Sequence, residues 1–170
     1  MAKINLVRID SRLIHGQVIT KWLKMSGANR IIIVDDELAK DDFMSIIYMS
    51  IIYTTAAPKD VSVEILSVED AKKGWMENEL GNGNLLILFK DIKTCYELKN
   101  EGVNIENIQI GGLPSAPGRT VILRAVSFDE DDVSKLKELH DAGVEINIHI
   151  IPEEPKMNYE NMIKKFEEKK

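Results

Sequence analysis

Short apolar runs alternate with longer amphipathic runs along the whole chain. Ile4–Ile9 reads as a first strand, and Val18–Met25 as an amphipathic helix that Gly27 is placed to stop. Arg30–Val34 is apolar at every position after Arg30 and ends in Asp35-Asp36, the pattern of a strand covered on both faces. Lys40–Thr55 reads as one helix with Pro58 just beyond it, and Val61–Leu66 as a third strand. Ser67-Val-Glu-Asp70 has the spacing of a capping box, and Leu85–Phe89 gives a fourth strand. Asp91 can cap a helix that Gly102 ends; Ile108–Ile110 then leads into Gly111-Gly112, and Thr120–Leu123 is a further strand. Ser127–Glu130 again has capping-box spacing, for a helix running to Ala142 with Gly143 after it. Val144–Ile151 is the last strand, followed by Pro152 and a charged helix from about Asn158. Alternation of this kind predicts an α/β fold: three layers, with a mostly parallel twisted sheet of about six or seven strands and helices on both faces. Residues 1–170 read as a single domain, because no repeat, low-complexity segment or linker interrupts the pattern.

Composition narrows the function classes. Hydrophobic residues make up 44% and charged residues 29% of the 170, which suits a packed globular core. A net charge of -6 argues against a broad nucleic-acid face. A lone cysteine, Cys95, forbids an internal disulfide and points to a reducing compartment, hence a cytoplasmic protein. The N-terminus lacks the layout of a secretory signal. The longest apolar stretch, around Met44 to Ala57, is shorter than the roughly 20 apolar residues of a spanning helix and reads as a buried helix. Work at a membrane would therefore proceed through a partner.

In a parallel sheet, ligands bind beyond the carboxyl ends of the strands. The rule selects Asp10–Gly16, Asp35–Glu37, Ser67, Lys90-Asp91 and Gly111–Arg119, and His15 is the one histidine of three in such a segment. Its surroundings suit an anion. Arg12 offers a planar fork of donors, Gly16 permits close backbone approach, and the first free N–H groups of the following helix favour negative charge. A neutral imidazole can attack phosphorus and later leave. On these features by themselves, a phosphoryl-carrying His15 and a His15 that merely caps the helix stand nearly level.

The run Arg8-Ile-Asp-Ser-Arg-Leu-Ile-His15-Gly-Gln-Val18 resembles the active-site signature of the IIB components of the mannose/fructose/sorbose family of the bacterial sugar phosphotransferase system. Ile32–Asp36 with Ala39 and Asp41, Leu88–Lys90, Ile110–Gly112, and Gly143-Val144 through Pro152 follow in the family's order, so the resemblance spans the chain. It implies a phosphotransferase (protein-Npi-phosphohistidine–sugar phosphotransferase, EC 2.7.1.-). In that scheme His15 takes a phosphoryl group on Nδ1 from a IIA domain and gives it to a sugar imported by membrane IIC and IID subunits. The sugar would be mannose, fructose, sorbose or an amino sugar. The resemblance further implies that Arg12 neutralises the phosphoryl oxygens and that Asp10 orients the loop or the imidazole. Gly16 and Gln17 complete the signature, and Ser11 stands where many relatives carry a second Asp. It implies no cofactor and no metal, and a separate IIB subunit, cytoplasmic and peripheral to the permease.

Asp35 and Asp36 at a strand end carry the rival reading, a receiver-like or nucleotide-handling domain holding Mg²⁺. The pair follows the second strand, whereas a receiver has it after the first. These two residues are otherwise expected to structure their loop or, with Arg119, to lie on a rim that meets partners. A second rival is a binding module of the same fold that has lost phosphotransfer; the intact Arg12, His15 and Gly16 speak against it. His149 reads as a packed strand residue, His140 as a late-helix residue, Cys95 as structural, and Trp22 and Trp75 as helix-to-sheet packing.

Overall fold

The unbroken apolar runs form the middle of one seven-stranded sheet in the computed structural model, which describes residues 2–14, 16–55 and 61–170. His15 and Pro58 thus lie outside the described residues. In chain order the elements are β1 (Lys3–Asp10), α1 (Gly16–Ser26), β2 (Arg30–Val34), α2 (Asp36–Lys40), α3 (Asp42–Thr55), β3 (Ser62–Leu66) and α4 (Val68–Asn78). There follow β4 (Asn84–Phe89), α5 (Ile92–Asn100), β5 (Asn107–Gly112), β6 (Thr120–Leu123) and β7 (Val126–Phe128). The chain ends with α6 (Glu130–Asp141), β8 (Glu145–Ile148), β9 (Met157–Asn158) and α7 (Tyr159–Lys169). The sheet order is β3-β2-β4-β1-β5-β8-β9. Only the β8–β9 pair in it is antiparallel, and β6 and β7 make a separate antiparallel ribbon.

The two faces explain the sequence pattern. Ile32 and Val34 of β2, with Leu85, Ile87 and Phe89 of β4, pack toward α4, α5, α6 and α7. Ile31, Ile33, Leu86 and Leu88 point the other way, toward α1, α2 and α3. Both central strands are covered twice, which is why neither shows polar alternation. Cys95 belongs to this core; it is fully buried, and burial pushes its thiol pKa upward. Trp75 is packed against the same core and Trp22 against the other.

Several boundaries differ from the sequence expectation, each for a local reason. The helix expected over Lys40–Thr55 starts earlier and breaks at Asp41, whose backbone N–H closes α2 on the Leu38 carbonyl. The Asp41 carboxylate then accepts from the Met44 amide, opening α3. The second capping box lies two residues beyond Ser127: Asp129 accepts from the Asp132 amide, and the Asp132 carboxylate accepts from the Asp129 amide. Ser127 sits instead on β7, buried, with its hydroxyl donating to the Pro114 carbonyl. The last strand is shorter than expected; β8 stops at Ile148, and the chain folds back through β9. Losing the Asp129 cap should cost about 1–2 kcal/mol. Asp129→Ala is therefore expected to lower the urea midpoint and the exchange protection of the first turn of α6, while Ser127→Ala leaves that turn protected.

Candidate functional site

The strand register lines up the selected segments. Leu66 pairs with Val34, Val34 with Phe89, Phe89 with Ile9, Ile9 with Ile110, and Ile110 with Ile148. The residues that follow this row, Ser67, Asp35, Lys90, Asp10, Gly111 and His149, accordingly share one carboxyl edge. With strands ~4.8 Å apart, Asp35 stands roughly 10 Å from Asp10 along it. The chain leaves β1 through α1 toward β2 on one side, and leaves β5 toward β8 on the other. Neighbouring strands with diverging connections create a crevice at their ends. Here it opens between the loop after Asp10 and the loop after Gly112.

Three charged residues build the floor of that crevice. Val7 and Ile9 turn into the core, so the intervening Arg8 and Asp10 face α1; both are about 2% exposed or less. Asp10 Oδ1 accepts from the Arg12 backbone N–H at 3.0 Å and from Arg12 Nε at 2.9 Å. Its Oδ2 accepts from Arg12 Nη2 at 2.9 Å and, more weakly, from Arg8 Nη2 at 3.5 Å. Arg12 is therefore held as a two-pronged fork, its side chain 37% exposed. The hydrogen bond to Asp10 raises its pKa above the ordinary value. Nη1 of Arg12 has no hydrogen-bond partner among the described residues. Arg8 donates to Gln109 Oε1, to the His149 carbonyl at 2.8 Å and to the Ile150 carbonyl at 3.0 Å. Burial lowers its pKa to about 10, against the opposing pull of Asp10, and leaves it charged at neutral pH.

Backbone contacts fix the loop in place. The Ser11 N–H donates to the Gly112 carbonyl, and the Leu13 N–H to the Asp10 carbonyl. Leu13 takes φ +55°, in the left-handed region that costs a branched residue roughly 1–2 kcal/mol, offset by its own burial with Ile14. Helix α1 starts at Gly16, so Gly16 and Gln17 occupy its first turn, where free N–H groups attract anions.

The other expected residues have internal duties. Asp35 is buried and caps α2 through the Leu38 amide, and Asp36 accepts from the Val68 amide at the start of α4. Each carboxylate of that pair serves a different helix; no group of three or more His, Cys, Asp or Glu able to hold a metal occurs among the described residues. Arg119 bonds to Ser127, Asp129 and Asp132, bracing its own loop against α6. His149 rests edge-on against Trp22 with Nε2 2.8 Å from the Glu154 carbonyl oxygen, and His140 stacks on Tyr159. Sequence reasoning passed over Arg8, Gln109 and Trp22 as site residues. The available signal was a charged residue at an alternation point of a buried strand, whose neighbouring strand ends in a Gly-Gly pair.

Known proteins resemble this chain over nearly its whole length. The family model described as PTS system sorbose subfamily IIB component matches residues 4–170. The sorbose-specific EIIB component of Lacticaseibacillus casei is 38% identical over 152 residues, 89% of this chain and 90% of the relative. The mannose-specific EIIAB component of Escherichia coli K12 is 32% identical over 96% of this chain, which spans 49% of that longer protein. Among solved structures, manxB from Thermoanaerobacter tengcongensis superposes with a TM-score of 0.88 at 38% identity, covering 98% of both chains.

Proposed function

From the premise that this chain belongs to the sorbose-subfamily IIB components of the sugar phosphotransferase system, we propose that His15 is its phosphoryl carrier. The neutral imidazole attacks through Nδ1 as the P–N bond to a histidine of a IIA domain breaks. In the second step a sugar hydroxyl attacks the phosphohistidine as its P–N bond breaks, and the hydroxyl proton passes to the departing imidazole, which leaves neutral. The group moves between two nitrogens and then to oxygen, so no nucleotide is consumed and catalysis rests on alignment and charge neutralisation. Arg12 and the first turn of α1 supply the positive field, and Asp10 holds Arg12 in place. IIC and IID subunits of a permease are the proposed membrane partners. No helix among the described residues is long and apolar enough to cross a membrane; the proposed place of work is the cytoplasmic side of such a permease. The relatives are described as sorbose-, mannose-, fructose- and N-acetylgalactosamine-specific, and a hexose or amino sugar is the proposed acceptor class.

The observation that carries this reading is the pairing of a buried Asp10 with the Arg12 fork at the β1–β5 crevice, directly before α1. The test is incubation with a phosphorylated IIA domain followed by intact mass and peptide mapping. One acid-labile, base-stable phosphoryl group on His15 is expected. A base-labile acyl phosphate on an aspartate, or no modification, would overturn it.

Arg12→Lys provides a narrower check. Lysine keeps the charge but cannot span both Asp10 oxygens while presenting a further planar donor. Single-turnover transfer from the donor should slow about 10-fold or more, with the denaturation midpoint little changed. Equal rates for the two proteins would remove Arg12 from the phosphate site.

A further inference from the structure

The proposed carrier cycle uses His15, Arg12 and Asp10, and leaves the buried Arg8 without a part. We infer that Arg8 is a positioning residue for phosphoryl transfer, kept in its slot by the missing side chain of Gly111. The inference rests on the phosphocarrier reading above. Arg8 is one of the largest fully buried side chains of the protein, yet it faces a polar slot. Its guanidinium reaches four acceptors on three segments: Gln109 on β5, the His149 and Ile150 carbonyls beyond β8, and Asp10 at the end of β1. The Trp22 ring of α1 lies 5.2 Å from its Cζ. A Cβ at Gly111 would overlap Nη2 and Cζ of Arg8, so an alanine there cannot coexist with the guanidinium as placed. The neighbouring Gly112 makes similar room, since its Cβ would stand 2.8 Å from Asp10 Oδ1.

Two consequences follow for transfer. Asp10 spends one oxygen wholly on Arg12 and shares the other between Arg12 and Arg8. Arg8 therefore adds a second, weaker hold from the interior on the carboxylate that aims the Arg12 fork. Two guanidiniums around one carboxylate also leave the cluster one net positive charge, and without Arg8 the Asp10–Arg12 pair is neutral. Arg8 touches no reacting atom in this account. Its loss should act on the rate at saturating donor and leave the KM for the donor unchanged, because the docking surface is intact.

The experiment compares Arg8→Met, Arg8→Lys, Gly111→Ala and the Arg8→Met/Gly111→Ala double variant with wild type. Single-turnover transfer from a phosphorylated IIA domain is measured over a range of donor concentrations, with folded fraction followed by circular dichroism. A misplacement of the order of 1 Å lowers rates by up to about 10²-fold. Arg8→Met and Gly111→Ala should each approach that loss, and Arg8→Lys should recover part of it. Gly111→Ala should add little in the Arg8→Met background, as coupled sites are non-additive. The Arg12 Nε–H resonance should shift in Arg8→Met and in Gly111→Ala. Rates that equal wild type, or that merely follow the folded fraction, or strictly additive losses, would overturn the role of Arg8. A wild-type protein that takes no phosphoryl group on His15 would instead overturn the carrier reading.

Discussion

His15→Ala is expected to give a folded protein that accepts no phosphoryl group from a phosphorylated IIA domain. The reasoning is chemical first. Ser11, the hydroxyl in the same loop, is a poor nucleophile without an adjacent base, and the charged neighbours Asp10 and Arg12 are bonded to each other. The remaining histidines offer no substitute. His140 stacks on Tyr159 with centroids 3.9 Å apart, in the last turn of α6 and so at the amino end of the strands. His149 has Nε2 against the Glu154 carbonyl and its ring against Trp22. The fold argument is separate. The Ser11–Gly112 and Leu13–Asp10 backbone bonds, the Asp10–Arg12 fork and the buried Leu13 and Ile14 hold residues 10–14 without recourse to position 15. The urea midpoint should therefore match wild type. Intact mass of donor-treated protein decides: a singly phosphorylated His15→Ala chain would remove His15 from the centre of the mechanism.

The layers and the site edge were legible in the sequence because their causes are local. Ile31–Val34 and Leu85–Phe89 are apolar at every position, and no single-faced strand tolerates that. Asp91 and Ser67 were readable as caps because the amides they serve lie three residues on. The selected loops fell on one carboxyl edge because parallel pairing leaves no alternative. The misplaced cap shows the limit of such reading. Ser127-x-x-Glu130 and Asp129-x-x-Asp132 both fit the spacing, and what decides between them is the backbone bond from Ser127 to Leu113, fourteen residues away. Arg8 was harder still. Its acceptors on His149 and Ile150 stand 141 and 142 positions along the chain, so no local pattern announces that a strand arginine will be satisfied in the interior. The acidic pair Asp35-Asp36 was legible as loop-structuring but not in its partners, since one member caps the next helix and the other accepts from the amide of Val68, 32 positions on.

Asp10→Ala should be among the most destabilising single substitutions in the protein, and this follows from charge burial more than from lost contacts. The Asp10 side chain is 3% exposed and is the counterion of two guanidiniums. Removing one partner of a buried ionic group leaves uncompensated charge, at a cost of about 3–5 kcal/mol. Arg12 can swing outward, its side chain being 37% exposed, and so escape most of that cost. Arg8 cannot: it is about 1% exposed, pinned to the His149 and Ile150 carbonyls and wedged against Gly111. Desolvation already holds its pKa down at about 10 in the presence of Asp10. Without that carboxylate the opposing pull is gone and the pKa falls further, yet at neutral pH the cation still has to be buried. The loop also loses the carboxylate that accepts from the Arg12 backbone amide. For a chain of this size the change corresponds to a melting temperature lower by roughly 10 °C. Asp10→Asn retains an acceptor oxygen without the charge and should fall between wild type and alanine. Urea denaturation of the three proteins at pH 7 gives the ranking directly. An alanine variant within about 1 kcal/mol of wild type would mean that the carbonyl cage around Arg8 suffices by itself. The ion-pair account of the crevice floor would then have to be abandoned.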